Sequence, residues 1–168
     1  MSDIPVIKVS ILGNANVGKT SIVRQYCEGK FEISRVSTLG ADFQTKTVPL
    51  PRGAVKLSIW DMGGQKHFEP VRRVFYSGTM AAALVYDVTD RESLLSLEEW
   101  YRELLAETGT NNFLVVGNKI DLDRAVPNGA GMNFAEKIGA KYGETSAKDG
   151  QGVEAMFFEL AKLAAGNY

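Results

Sequence analysis

The feature that most restricts the fold of this chain is a glycine-containing segment between a strand pattern and a helix pattern. Val6–Leu12 is an apolar, β-rich run that ends at Gly13, and a helical pattern runs from about Gly18 to Cys27. The segment Gly13–Thr20 matches G-x-x-x-x-G-K-[ST], in which backbone N–H groups and the positive end of a helix face phosphate oxygens. A strand, this loop and a helix open a βα unit, so we expect a parallel sheet.

The rest of the chain alternates further strand and helix patterns over a total of 168 residues, the length of one domain. A hairpin is predicted across Pro51-Arg52-Gly53, and a long loop over Glu28–Gly40. The other predicted strands are Asp42–Leu50, Val55–Trp60, Ala81–Tyr86, Phe113–Gly117 and Lys141–Glu144, and the other predicted helices are Glu92–Glu107, Asn133–Ile138 and Val153–Ala164. Within Glu92–Glu107, leucines and Trp100 recur at helical spacing, and we expect this apolar stripe, which includes Leu95, to lie in the core. We therefore expect one α/β domain over residues 1–168, with a mostly parallel sheet and helices on both faces.

Composition and charge exclude several classes of protein. Nineteen basic and twenty acidic residues leave a net charge of −1, which excludes nucleic-acid binding driven by bulk positive charge. The single cysteine, Cys27, excludes an internal disulfide framework and a multi-cysteine metal site, and we expect it to be a small core residue. No apolar run has the length of about 18 residues that a membrane span needs. These features predict a soluble, intracellular domain.

Two motifs at predicted strand ends supply groups for phosphate and metal chemistry. In the first, Lys19 is expected to reach phosphate oxygens and the Thr20 hydroxyl to ligate Mg²⁺, although an ordinary glycine turn before a helix is the alternative. The second, Asp61-Met62-Gly63-Gly64-Gln65, follows the predicted strand Val55–Trp60. Asp61 can hold Mg²⁺ through a water, and Gly64 can offer its backbone N–H to a terminal phosphate. Alone, this motif fits a plain turn equally well; beside a phosphate loop it completes one site.

Two further motifs favour a guanine base. Asn118-Lys119-Ile120-Asp121 follows a predicted buried strand. The carboxylate of Asp121 offers two acceptors to a base edge with two adjacent donors, which guanine has and adenine lacks. A site built on this pair is expected to reject adenine on the order of 10⁴-fold. Thr145-Ser146-Ala147-Lys148 follows the last predicted strand and is expected to close over the same base through backbone amides. Each motif alone also fits a polar loop after a strand.

In their order and spacing, these motifs resemble the small GTPases of the Ras superfamily over essentially the whole chain. The residues that carry the resemblance are Gly13–Thr20, Thr38, Asp61–Gln65, Asn118–Asp121 and Ser146–Lys148, and the stretches most similar to the Rab branch are Thr38–Phe43, Lys56–Trp60 and Leu84–Thr89. The resemblance implies a single P-loop GTPase domain: a six-stranded, mostly parallel sheet with one antiparallel strand and helices on both faces. It implies a switch that binds GTP or GDP with Mg²⁺ and slowly hydrolyses GTP.

The resemblance also implies roles for individual residues. Gln65 is expected to orient the attacking water, with Lys19 on the phosphates. Thr20, Thr38 and Asp61 are expected to hold Mg²⁺. The residues expected to contact the nucleotide are Asn14, Ala15, Asn16, Val17, Gly18, Lys19, Thr20, Ser21, Phe31, Thr38, Gly64, Asn118, Lys119, Asp121, Ser146, Ala147 and Lys148. For Phe31, expected at the edge of the base, an ordinary core or surface aromatic is the alternative.

Two segments, Phe31–Asp42 and Asp61–Gly78, are expected to order around the terminal phosphate and to relax after hydrolysis. Effectors, exchange factors and GTPase-activating proteins are expected to bind through them. We expect a cytoplasmic location, no nucleic-acid partner, and at most a peripheral membrane contact. The chain ends without a carboxyl-terminal cysteine, so no prenyl anchor is expected on it. Within the second segment, His67 is expected at the surface, and Arg72-Arg73 on a solvated face or in a partner contact.

Several positions depart from the family pattern. Ala15 and Asn16 stand where Ras has glycines, and Met62-Gly63 replaces the usual Thr-Ala. Arg35 precedes Thr38 by three residues, a spacing similar to that of the arginine finger which G-protein alpha subunits carry in cis. A solvated arginine that contacts a partner is the alternative for Arg35. A nucleotide-locked scaffold with negligible turnover is the alternative function, whereas the guanine motif argues against a phosphate-loop ATPase or kinase.

Overall fold

The computed structural model describes residues 3–31, 41–64 and 69–166, except for the side chain of Asn128. Within these residues, six strands form one sheet: β1 (Val6–Leu12), β2 (Ala41–Val48), β3 (Val55–Met62), β4 (Thr79–Asp87), β5 (Phe113–Asn118) and β6 (Lys141–Thr145). Their order is β2-β3-β1-β4-β5-β6, and the neighbouring pairs are parallel apart from the antiparallel pair of β2 and β3. The carboxyl ends of the parallel strands therefore meet at one edge of the sheet.

Helices cover both faces of this sheet. The helices of the described residues are α1 (Lys19–Glu28), α2 (Glu69–Phe75), α3 (Arg91–Leu95), α4 (Leu97–Thr108), α5 (Asn128–Lys137) and α6 (Val153–Ala165). Side chains alternate along β4, so that Ala83 and Val85 join the core formed with α1 and α6. Leu84 and Tyr86 join the core on the opposite face, together with residues of α4 and α5. The predicted α/β class and the sheet with one antiparallel strand are confirmed.

The prediction of one continuous helix over Glu92–Glu107 is wrong, because a turn at Ser96 divides this segment into α3 and α4. The Asp90 side chain caps α3 by accepting a hydrogen bond of 3.0 Å from the backbone N–H of Glu92. The Ser93 hydroxyl donates a hydrogen bond of 2.6 Å to the Asp90 carbonyl oxygen. This bond ties the first turn of α3 to the residue that precedes the helix. Leu95, which we predicted in the core, is 70% exposed at the end of α3.

Two other helices differ from the sequence prediction. The short helix α2 was not predicted at all. Helix α5 begins five residues before the predicted Asn133–Ile138, after Pro127 in an extended conformation. Its first turns contain Gly129 and Gly131, which disfavour helix by about 1 kcal/mol each relative to alanine. Packing explains Gly131, because a Cβ at this position would lie 2.3 Å from the Tyr86 hydroxyl oxygen.

Within the described part of the chain, no helix combines the length and the apolar character that crossing a membrane requires. Cys27, in the last turn of α1, is half-buried and packs against the core, as predicted.

Candidate functional site

The loop between β1 and α1 has a backbone path that only glycine tolerates at two positions. Gly13 has φ +148°, and a Cβ there would lie 2.2 Å from the Val85 carbonyl oxygen. Gly18 has φ +99°, and a Cβ there would lie 2.3 Å from Nδ2 of Asn118. Residues with a side chain rarely adopt these φ values. Both glycines of the sequence motif are therefore required by the fold itself.

Lys19, at the start of α1, is buried beneath this loop. Its Nζ donates hydrogen bonds of 2.8 Å to the carbonyl oxygens of Gly13 and Asn14. Burial lowers the pKa of Lys19 to about 8, against an opposing effect of the nearby Asp61 carboxylate. A buried cation of this kind is stabilised by an anion, and phosphate oxygens are anionic ligands that a lysine of such a loop binds.

The end of β3 faces the same loop. The Thr20 hydroxyl donates a hydrogen bond to the Asp61 carboxylate, which is buried. A hydroxyl and a carboxylate are oxygen ligands of the kind that Mg²⁺ prefers, so the donor set fits this ion. Gly64 follows closely: a Cβ on it would lie 2.3 Å from the backbone nitrogen of Ala15. The structure thus brings the second predicted motif against the first.

A cavity of about 300 Å³ lies beside the phosphate loop, at the carboxyl ends of β5 and β6. Its lining consists of Asn16, Gly18, Ser21, Phe31, Asn118, Lys119, Asp121, Leu122, Ala147 and Lys148. All of these except Leu122 were predicted to contact a nucleotide. Leu122 was missed, because an exposed leucine after a motif aspartate has no distinguishing pattern.

Asn118 connects the phosphate loop to the two loops around the cavity. Its Nδ2 donates to the Val17 carbonyl oxygen at 2.9 Å, and its Oδ1 accepts from the Thr145 hydroxyl at 2.8 Å. Next to it, Nζ of Lys119 donates to the Asn16 carbonyl oxygen at 2.7 Å and pairs with the Asp87 carboxylate at 2.9 Å. The phosphate loop, the Asn118–Asp121 motif and the Thr145–Lys148 motif therefore form one hydrogen-bonded framework.

The Asp121 carboxylate lies at the cavity and is oriented by the loop after β6. The Ser146 hydroxyl donates to one of its oxygens at 2.9 Å. The backbone N–H of Ile120 donates to the Thr145 carbonyl oxygen at 3.2 Å, which joins the two loops. From α1, Gln25 donates to the Ala147 carbonyl oxygen at 3.0 Å. A carboxylate held in this way is a fixed acceptor for a ligand with two adjacent donors.

A sequence model of the Ras family matches residues 8–165 of the chain. The chain belongs to the Ras family. Among its curated relatives, Rab-21 of Homo sapiens is 42% identical over 158 residues, which cover 92% of this chain and 70% of Rab-21. RAB1BV of Beta vulgaris and RABE1e of Arabidopsis thaliana are each 38% identical over 161 residues, which cover 94% of this chain and 75% and 74% of theirs. The resemblance to the Ras superfamily and its Rab branch is confirmed.

This Ras-family chain is accordingly a Rab-like small GTPase. Members of the family bind GTP and GDP with Mg²⁺ and hydrolyse GTP. Four residues discussed above, Arg35, Thr38, Gln65 and His67, lie outside the described residues. Their predicted roles stay predictions.

Two non-glycine residues in the described part of this Rab-like domain have left-handed backbone conformations, and both belong to the site. They are Asn16, with φ 69°, and Lys119, with φ 70°. Asparagine adopts this conformation more readily than most residues with a side chain. Asn16 therefore fits the loop where Ras has glycine, so this departure does not by itself distort the loop.

The prediction that Arg72 lies on a solvated face is wrong. Its side chain is 3% exposed, and Nη2 lies 3.0 Å from a carboxylate oxygen of Glu103. Its guanidinium also stacks on the Trp100 ring, 4.4 Å from the centroid. Trp100, predicted in the core, is buried, and its indole N–H donates to the Asn14 side-chain oxygen at 2.8 Å. The predicted apolar stripe located Trp100, but no sequence signal pointed to these polar partners.

Proposed function

We propose that this protein is a guanine-nucleotide-dependent switch that binds GTP and GDP with Mg²⁺ and slowly hydrolyses GTP to GDP and phosphate. The observation that carries the proposal is the cavity beside the phosphate loop, with the Asp121 carboxylate fixed at its rim by Ser146. A guanine edge with two adjacent donors matches the two acceptors of this carboxylate. An adenine presents no such edge, so the site favours guanine on the order of 10⁴-fold.

At the base, the remaining contacts come from residues that line the cavity. Phe31 supplies an aromatic edge, and Asn118 and Lys119 frame the ring. Ala147 and Lys148 close over it beside Ser146. The buried framework of Asn118 supports this assignment, because it keeps the base loops and the phosphate loop in one arrangement.

At the phosphates, the backbone of residues 13–18 and the Lys19 ammonium bind the oxygens, and the neighbouring Ser21 contacts the same nucleotide. Thr20, Thr38 and Asp61 hold Mg²⁺, which supplies positive charge against the phosphate oxygens when bound. Gly64 offers its backbone N–H to the terminal phosphate. The buried position of Lys19 supports this role, since an anion compensates the cost of burying its charge.

For hydrolysis, we propose that Gln65 orients the attacking water and that Lys19 neutralises charge on the terminal phosphate. We also propose that Arg35 reaches this phosphate in cis. A solvated arginine that contacts a partner is the alternative, and the two differ in their effect on the intrinsic rate.

The switch segments Phe31–Asp42 and Asp61–Gly78 then report the bound nucleotide to effectors, exchange factors and GTPase-activating proteins. Since the curated relatives are Rab proteins, we propose a role in membrane traffic, with the protein in the cytoplasm or peripherally on a membrane.

The decisive experiment is single-turnover hydrolysis of GTP preloaded with Mg²⁺ on the wild type and on Gln65→Leu. Slow hydrolysis that the substitution abolishes supports the switch. Tight GTP binding without turnover in either protein supports the nucleotide-locked scaffold instead. No binding of guanine nucleotide refutes both.

Arg35→Ala in the same assay tests the proposed arginine finger. We expect a loss of about 10³-fold in rate if Arg35 acts in cis. An unchanged rate leaves Arg35 to the alternative, a partner contact.

The base assignment has its own test in Asp121→Asn, which replaces an acceptor by a donor. Xanthine carries a carbonyl oxygen where guanine carries an amino group. Asp121→Asn is therefore expected to weaken GTP binding and to strengthen XTP binding, measured by competition for one bound fluorescent nucleotide. Equal losses for both nucleotides contradict the assignment.

A further inference from the structure

Four side chains form a hydrogen-bonded chain next to the base cavity, outside the residues that line it. The Arg124 guanidinium donates two hydrogen bonds to the Glu144 carboxylate, at 2.9 and 2.6 Å. The Tyr142 hydroxyl donates to the same carboxylate at 2.7 Å, and the hydroxyl oxygens of Tyr86 and Tyr142 lie 2.6 Å apart. We call the Arg124–Glu144 pair the clasp.

The clasp joins the loop after β5, which carries Asp121, to the end of β6, which leads directly into the second loop that contacts the base. Arg124 follows Asp121 by three residues, and Glu144 precedes Ser146 by two. The clasp therefore adds a second link to the hydrogen bond of 2.9 Å between Asp121 and Ser146. A bidentate pair of arginine and carboxylate fixes direction as well as distance, which a single hydrogen bond does not.

The fold makes room for this chain of hydrogen bonds. Tyr86 and Tyr142 reach each other across β5 at Gly117, where a Cβ would lie 2.8 Å from one hydroxyl oxygen and 2.9 Å from the other. The side chains of the clasp are only 33% and 21% exposed, and the pKa of Glu144 is lowered chiefly by its hydrogen bonds to Arg124. The pair is therefore partly shielded from solvent.

We propose that Arg124 and Glu144 are positioning residues that hold the two base loops at one separation and so set how fast guanine nucleotide leaves. The inference rests on the proposed function, since it concerns the same site. Neither residue lines the base cavity, so both act through Asp121 and Ser146. Loss of the clasp lets these two side chains move apart, and the base escapes sooner.

The test is the dissociation rate of a fluorescent GDP analogue from the Mg²⁺-loaded protein. Arg124→Ala is expected to accelerate dissociation about tenfold, equivalent to about 1.4 kcal/mol. Glu144→Gln is expected to give a similar acceleration, and the double variant no more than either alone, because both remove one interaction. The hydrolysis rate of bound GTP is expected to stay at the wild-type value.

A second readout separates positioning from a general loosening of the fold. Inosine triphosphate lacks the exocyclic amino group of guanine and so makes one fewer hydrogen bond to Asp121. Wild type is therefore expected to release it faster than GTP, and Arg124→Ala is expected to narrow that difference. An unchanged ratio of the two dissociation rates overturns the inference.

Matched variants complete the design. Lys141 lies on the same strand as Glu144 and pairs with Glu159 at 3.2 Å, so Lys141→Ala removes an ion pair of β6 away from the base loops. It is expected to leave dissociation unchanged. Arg124→Lys keeps the charge without the two-pronged geometry and is expected to be intermediate. Tyr142→Phe, which keeps the ring, is expected to accelerate dissociation by less than Arg124→Ala.

Two failures are distinguishable. If the wild type binds guanine nucleotide but Arg124→Ala and Tyr142→Phe release it at the wild-type rate, the proposed role of the clasp alone is refuted. Wild type that does not bind guanine nucleotide refutes the proposed function together with the clasp.

Discussion

Replacing Arg72 by alanine is expected to lower the free energy of unfolding by about 3–5 kcal/mol. Arg72 is 3% exposed and Glu103 10% exposed, and Nε and Nη2 of the arginine lie 3.2 and 3.0 Å from the two carboxylate oxygens. The substitution leaves the Glu103 carboxylate desolvated beside the Tyr76 hydroxyl, without its cation. It also removes the guanidinium from the Trp100 ring.

The assay is guanidinium unfolding at a fixed excess of GDP and Mg²⁺, so that ligand binding contributes equally to every variant. Arg73→Ala is the matched control, because Arg73 is the next residue on α2 and its ion pairs with Glu69 and Glu107 are solvent-exposed. The control is expected to leave the unfolding midpoint almost unchanged, as exposed ion pairs contribute little.

A double variant tests the physical reason for the loss. Arg72→Met combined with Glu103→Leu removes both charges and keeps apolar volume, so it is expected to recover most of the stability that Arg72→Ala loses. If Arg72→Ala costs no more than Arg73→Ala, the pair is not desolvated and the reasoning is refuted.

Four further outcomes are expected. Gly64→Ala is expected to weaken nucleotide binding at least about tenfold in a fluorescence titration, because its Cβ would lie 2.3 Å from the Ala15 nitrogen; wild-type affinity contradicts this. Nucleotide binding at pH 8 is expected to take up about half a proton, since phosphate raises the pKa of Lys19 from about 8; a binding enthalpy independent of the buffer's ionisation enthalpy contradicts this. The lowered pKa also means that the ligand-free fold binds fewer protons than the unfolded chain, so Lys19 makes stability rise between about pH 8 and 10.5. Trp100→Phe removes the N–H that donates to Asn14 and keeps an aromatic ring, so it is expected to cost about 1 kcal/mol in the unfolding assay, and no loss contradicts the hydrogen bond.

The phosphate loop and the strands around it were predictable because their determinants are local. Gly13, Gly18 and the apolar run of β1 belong to one stretch of consecutive residues, although the atoms that leave no room for a Cβ at the two glycines, on Val85 and Asn118, are distant in sequence. The motifs around Asp61, Asn118 and Ser146 could be assigned to one site for a topological reason. Each follows a strand of a mostly parallel sheet, and such strands end at one edge.

Several features were decided only by the tertiary structure. Glycines disfavour helix at the start of α5, yet position 131 of this helix requires glycine because the Tyr86 hydroxyl occupies the space of a Cβ. Burial of Arg72 depends on Glu103, which is 31 residues away, and the clasp joins Arg124 to a carboxylate 20 residues away. Periodicity records which side of an element is apolar, not which distant polar group meets it. The sequence therefore determined the strands and the motifs, whereas packing decided which charges are buried and what holds the base loops together.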